Sequence, residues 1–187
     1  MKKCLILLLS LLLLCGCTAK KAEPKTPALE FRQKLAEAGG CAFTADLTAD
    51  YGEQVYAFTL ECAYQTGGDG QFSVTAPKEL AGIAGTVSAQ GSRVTFEDLQ
   101  LDLGQLANGY VAPLETPWLL GACWSGGYIQ SVGKDEDHTV ITYLHGYNEG
   151  ELVVETWLDS AGTPVHCDIS YDGRRCLTAE IRQFQLQ

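Results

Sequence analysis

Across Gly39-Gly40 the spacing of apolar residues changes from helical to alternating, and that change limits the fold more than any other feature. Thr26-Pro27 reads as an N-cap followed by proline at the first helical position. Leu29, Phe31, Leu35 and Ala38 recur at roughly helical spacing, and the glycine pair ends the run. The spacing therefore predicts one amphipathic helix over Pro27–Ala38. From Cys41 onward every second residue is apolar: Cys41, Phe43, Ala45, Leu47, then Tyr56, Phe58, Leu60, Cys62, Tyr64. Asp50-Tyr51-Gly52-Glu53 supplies a turn between the two runs. With Tyr51 and Gly52 at its centre, the facing pairs are Leu47/Tyr56, Ala45/Phe58, Phe43/Leu60 and Cys41/Cys62. That register gathers every apolar residue on one face. It also makes Cys41 and Cys62 a disulfide candidate, since facing Cβ atoms lie about 4.5–5.5 Å apart and twist can bring them to the bonded spacing of about 3.8 Å.

Strand patterns continue at Gln71–Ala76, Gly82–Ala89, Ser92–Asp98, Tyr128–Val132, Thr139–His145, Glu151–Leu158, Pro164–Ser170 and Arg174–Phe184. Leu99, Leu101, Leu103 and Leu106 begin with strand spacing and are expected to end in a helical turn near Gly104–Asn108. Thr116-Pro117 opens a second, short helix to about Trp124, stopped by Gly126-Gly127. The connections are too short for parallel crossovers, so the sheet is expected to be antiparallel and wrapped around one or two helices. The class is mainly β (α+β), with about ten strands.

The N-terminus gives the chain an address. Lys2 and Lys3 precede an apolar run from Leu5 to Leu14 that is too short for a bilayer core of roughly 30 Å, which needs about 20 residues. A charged start and a short apolar core form a secretory signal. Leu14-Cys15-Gly16-Cys17 resembles the bacterial lipobox, which implies a signal peptide over 1–16 and a diacylglycerol-modified, acylated Cys17. Two acyl chains suffice for stable anchoring. Residues 17–26 then form a lipidated tether and 27–187 the folded domain. The expected location is the extracytoplasmic face of the cell membrane, in a Gram-positive owner. A formal charge of −10, with no basic stripe, argues against nucleic acid as a partner.

No set of residues makes a convincing catalytic centre. His138, His145 and His166 lie on separate strands without metal-ligand spacing. Asp135-Glu136-Asp137 lacks the spaced oxygens and glycine of a calcium loop and reads as a hairpin turn. Ser125 lacks a nucleophile elbow. No metal and no cofactor beyond the covalent lipid is expected. A three-residue turn at Tyr171-Asp172-Gly173 pairs Cys167 with Leu177, which leaves Cys176 on the other side of the sheet and unbridged to Cys167. The aromatic and aliphatic set Phe43, Leu47, Tyr56, Phe58, Leu60, Trp118, Trp124 and Trp157 is either an ordinary core or the lining of an apolar cavity in a curved sheet.

Taken together, these features resemble the LolA/LolB-like carriers and sensors of lipoproteins. The resemblance rests on helix Pro27–Ala38 before a long hairpin, Ser73-Val74-Thr75-Ala76-Pro77, the Pro117–Leu120 segment, and the tail. In the tail Leu158-Asp159-Ser160-Ala161-Gly162-Thr163-Pro164 is followed by Ile169-Ser170-Tyr171-Asp172-Gly173 and Ile181-Arg182-Gln183-Phe184. It implies a curved half-barrel with helices across its concave side. It also implies a non-catalytic role, binding a hydrophobic ligand, a lipoprotein or a protein partner. An accessory subunit of an envelope complex, or of spore germination, acting only by protein–protein contact is the alternative; a cell-envelope hydrolase is the third reading.

Overall fold

The computed structural model describes residues 25–97, 99–103, 106–107, 110–145 and 152–187. The leader, Cys17 and most of the tether lie outside the described residues. So does the expected turn near Gly104–Asn108, apart from a two-residue strand, Leu106–Ala107.

Helix α1 spans Thr26–Ala38, one residue earlier than the sequence predicts. Lys25, not Thr26, occupies the N-cap position. Pro27 sits in the first turn, and Gly39 closes the helix in the left-handed conformation at φ 88°, which glycine adopts without strain. Strands β1 (Gly40–Asp50), β2 (Val55–Gln65), β3 (Gly70–Ala76), β4 (Ala84–Ser88), β5 (Gly91–Phe96) and β6 (Leu99–Leu103) follow. The small pair β7 (Leu106–Ala107) and β8 (Tyr110–Val111) leads to α2 (Thr116–Gly126). Strands β9 (Tyr128–Asp135), β10 (His138–His145), β11 (Leu152–Leu158), β12 (Pro164–Tyr171) and β13 (Arg174–Leu186) complete the chain.

Among the described residues eleven strands form one open antiparallel sheet in the order β6-β5-β4-β3-β2-β1-β13-β12-β11-β10-β9. Two meanders are thus joined where β1 meets β13. Helix α2 packs against β2, β3 and β4, and also against β10, seven strand spacings from β4. At about 4.8 Å per spacing a flat sheet would hold those strands about 34 Å apart. A helix about 10 Å across can touch both only if the sheet curls around it. The expected curved sheet is present, with both helices on its concave side.

The β1–β2 register differs from the expected one. Tyr51–Gln54 form a four-residue loop, closed by Tyr51 N–H donating to the Gln54 carbonyl (2.9 Å) and Gly52 N–H donating to Asp50 Oδ1 (2.7 Å). The pairing therefore slides by two residues: Leu47 faces Phe58, Ala45 faces Leu60, Phe43 faces Cys62 and Cys41 faces Tyr64. A slide of two leaves every side chain on its face, so alternation alone could not reveal it. Cys41 and Cys62 become diagonal neighbours, a spacing of about 7–8 Å that is too wide for a bridge without backbone movement. Both are free thiols.

The β12–β13 register is corrected in the same way. Asp172-Gly173 make a two-residue turn with φ 50° and 74°, the primed geometry that suits tight hairpins. A bulge at Ile169/Ser170 then pairs Cys167 with Ala179 and Ile169 with Leu177. Cys167 and Cys176 are both free and buried, and the Cys176 thiol donates to the Ile169 carbonyl at 3.4 Å.

Candidate functional site

The concave side is where the aromatic and aliphatic set forms either a core or the lining of an apolar cavity. Phe43, Leu47, Leu60, Trp118 and Trp124 meet there as packed core. Trp124 is wholly buried, and its ring centroid lies 5.8 Å from Phe31, 5.5 Å from Phe43 and 5.9 Å from Phe184. Its indole N–H donates to Thr156 Oγ1 at 3.0 Å, so the one polar atom of the ring is satisfied. Trp118 covers Gly70 and stands edge-on to His145 at 5.5 Å.

Two local features seat α2 this deeply. A Cβ on Gly121 would come within 2.1 Å of the Tyr64 ring, so only glycine lets helix and strand approach so closely. At the helix C-terminus Arg32 of α1 donates to the Trp124 carbonyl (3.1 Å) and the Gly127 carbonyl (2.5 Å), placing a cation where the helix dipole is negative.

Of the other three candidates, Phe58 packs partly buried against the margin of that core, while Tyr56 and Trp157 lie outside it. Tyr56 and Phe58 sit at the far end of β2, ring centroids 6.4 Å apart, and Tyr56 is exposed. Phe96, Leu99 and Leu101 are also exposed on the concave side, at the sheet edge, so apolar surface collects along this rim. Trp157 faces the convex side, which period-two alternation did not distinguish from the concave one.

On that convex side β9 to β13 carry a connected polar network. The Trp157 indole N–H donates to Asp135 Oδ2 at 2.9 Å, and the ring stands 4.9 Å from the His166 imidazole. His166 Nδ1 lies 2.8 Å from Glu180 Oε1, and Nε2 lies 3.1 Å from Asp168 Oδ1. Arg175 donates to the second Asp168 oxygen at 2.9 Å. With a carboxylate at each ring nitrogen both must donate, so the geometry selects the imidazolium. The hydrogen bond to Asp168 accordingly raises the His166 pKa, with Glu180 adding to it against the cost of burial. Burial works against ionised Asp168, but hydrogen bonds from His166 and Arg175 outweigh it and hold its pKa below the usual value. Asp135, His138, Trp157, Val165, His166 and Glu180 line an open groove of about 470 Å³ here. His138 and His166 therefore share a site, while His145 lies on the opposite face. In sequence the signal was His166-x-Asp168, two ionisable residues at strand spacing; Glu180 comes from the neighbouring strand and was not legible.

Buried polar groups elsewhere mark the core. Burial pushes the Cys41, Cys123 and Cys167 thiols up to about 12, far from nucleophilic. Glu115, just before α2, is fully buried, and neither carboxylate oxygen accepts a well-aligned hydrogen bond. Burial raises its pKa, and the nearby Ser92 side chain only partly offsets this. Ser125 Oγ is shared with Tyr64 OH at 2.9 Å. Among the described residues no group of three His, Cys, Asp or Glu side chains is arranged to hold a metal ion. No helix among them is long and apolar enough to cross a membrane.

No protein-family model matches the sequence, and no curated protein matches it. Solved structures of similar arrangement include a LolA superfamily protein from Nitrosomonas europaea, at 11% identity and TM-score 0.46 over 86% of this chain and 93% of that one. The complex of the CwlD amidase with the GerS lipoprotein from Clostridioides difficile also matches, at 12% identity and TM-score 0.44 over 91% and 100%. Lipoprotein LppX of Mycobacterium tuberculosis matches at 11% identity and TM-score 0.39 over 88% and 100%. The family that the sequence resembles is thus among the similar structures. The likeness is one of strand and helix arrangement alone, and no functional residue is carried over from it.

Proposed function

We propose that this chain is a non-catalytic, extracytoplasmic lipoprotein, anchored to the membrane through acyl chains on Cys17, that works by contact with a protein partner. The observation that supports this reading best is the packed concavity. Among the described residues Trp124, Phe43, Leu35 and Leu120 are buried together in one core, which supports a role without a carried acyl chain. What remains for recognition is the outside: the apolar rim at Tyr56 and Phe96 and the polar convex face around Trp157. Thiols held at high pKa and a histidine already paired at both nitrogens support a non-catalytic role.

A photo-crosslinking residue at Tyr56 or at Trp157, in cells making the full chain, tests the reading. A discrete adduct with one protein is expected from at least one position. Adducts confined to lipid, from both positions, contradict it. Anchoring has its own test: Cys17→Ala is expected to move the chain from the membrane fraction to the soluble one, and unchanged membrane retention counts against the lipid anchor.

A further inference from the structure

The two edges of the sheet are treated differently. At the β9 edge Lys25 Nζ donates to the Ile129 carbonyl and lies 5.3 Å from the Tyr128 ring centroid. Lys134 and Asp135 add charges, and the β9–β10 pairing bulges at Thr142/Tyr143. These are the devices that stop an edge strand from pairing further. Among the described residues the β6 edge has no bulge, and its one charged side chain is Asp102. Its register with β5 is unbroken from Ser92↔Leu103 to Phe96↔Leu99. Leu99 and Leu101 are 68% and 62% exposed, and both lie on the concave side, opposite Phe96 and Val94. Asp102, on the convex side, is met by Arg93 of its own chain at 3.4 Å.

We propose that β6 is a self-association edge, pairing antiparallel with β6 of a second copy about a two-fold axis through Leu101 to run one sheet through two chains. Leu-Gln-Leu-Asp-Leu suits this operation. Pairing about Leu101 sets Leu101 against Leu101 and keeps Leu99 of both copies on the concave side. It sets Asp102 against the neutral Gln100 of the second copy, never against a like charge, and each Asp102 keeps its Arg93. An isologous strand pair needs this self-complementarity, and a chain of formal charge −10 needs an electrically balanced patch to meet a copy of itself. The pairing also satisfies the outward backbone groups of β6 and covers two exposed leucines. The inference is independent of the partner reading, since a monomer could equally dock a partner.

The test uses the full chain in detergent. Density-matched sedimentation is expected to give twice the chain mass, and Leu101→Lys is expected to give the single-chain mass with an unchanged far-UV spectrum. Leu101→Cys, treated with copper–phenanthroline in air, is expected to give a disulfide-linked dimer well above the parent chain, while off-axis Leu99→Cys gives much less. A parent chain that sediments as a monomer overturns the proposal. So do a dimer that survives Leu101→Lys and cross-linking no better at Leu101→Cys than at Leu99→Cys. Extra mass from a different protein in place of a second copy overturns it as well.

Discussion

His166 shows how much one strand residue can organise. Two carboxylates face its ring, and Trp157 lies against it, so its protonation state should be visible in stability and in indole fluorescence. Its pKa is raised on folding, so its contribution is fully present below the unfolded value near 6.5 and is lost as pH rises through the folded value. His166→Gln is therefore expected to lower the melting temperature most at about pH 6 and progressively less toward pH 9, measured by thermal melts across that range. A destabilisation that grows with pH would contradict the network. Asp168 works in the opposite direction: its contribution is present above the ordinary carboxylate range and is lost as pH falls through its lowered folded value. The thiols give a second check. Peptide mapping under non-reducing conditions is expected to find Cys41, Cys62, Cys123, Cys167 and Cys176 unbridged, each reacting with alkylating reagents only after unfolding. At this scale the sequence was legible where a residue's partner lies on its own strand, as with His166 and Asp168. It was not where the partner arrives from another strand, as with Glu180, or where a two-residue slide leaves the pattern intact, as at Cys41.

Element by element, the helices depend on few contacts. Gly121 fixes α2 at its middle and Arg32 at its C-terminal end. Gly121→Ala drives a methyl group into the Tyr64 ring, and overpacking of this kind costs about 1–3 kcal/mol. Arg32→Ala strips the last carbonyls of α2 of a charged donor, at about 1.5–3 kcal/mol, and Arg32→Lys should recover only part because it lacks the planar fork. Chemical denaturation of the three variants measures both effects; a neutral Gly121→Ala would mean that α2 does not lie where the structure places it. The helices themselves were plain in the sequence, because Thr-Pro starts and glycine stops are local chemistry. Their burial was not. Nothing in Thr116-Pro117-Trp118-Leu119-Leu120 tells a helix plugging a curved sheet from one lying on a surface, since that depends on how far the strands curl.

For the molecule as a whole, the antiparallel meander and its two helices followed from apolar periods and connection lengths. The state of the concave face did not, because chamber and core use the same aromatic residues. Among the described residues it is packed core, with Trp124 wholly buried in it. Trp124→Ala is expected to cost about 3–5 kcal/mol, a large share of the 5–15 kcal/mol typical of a domain. The central claim is that the half-barrel carries no acyl cargo and acts through its outer surfaces. Native mass spectrometry of the full chain, released gently from detergent, tests that most directly. The account expects the mass of the chain plus its covalent anchor alone, as monomer or dimer. A lipid or other hydrophobic molecule bound non-covalently at one per chain would contradict it.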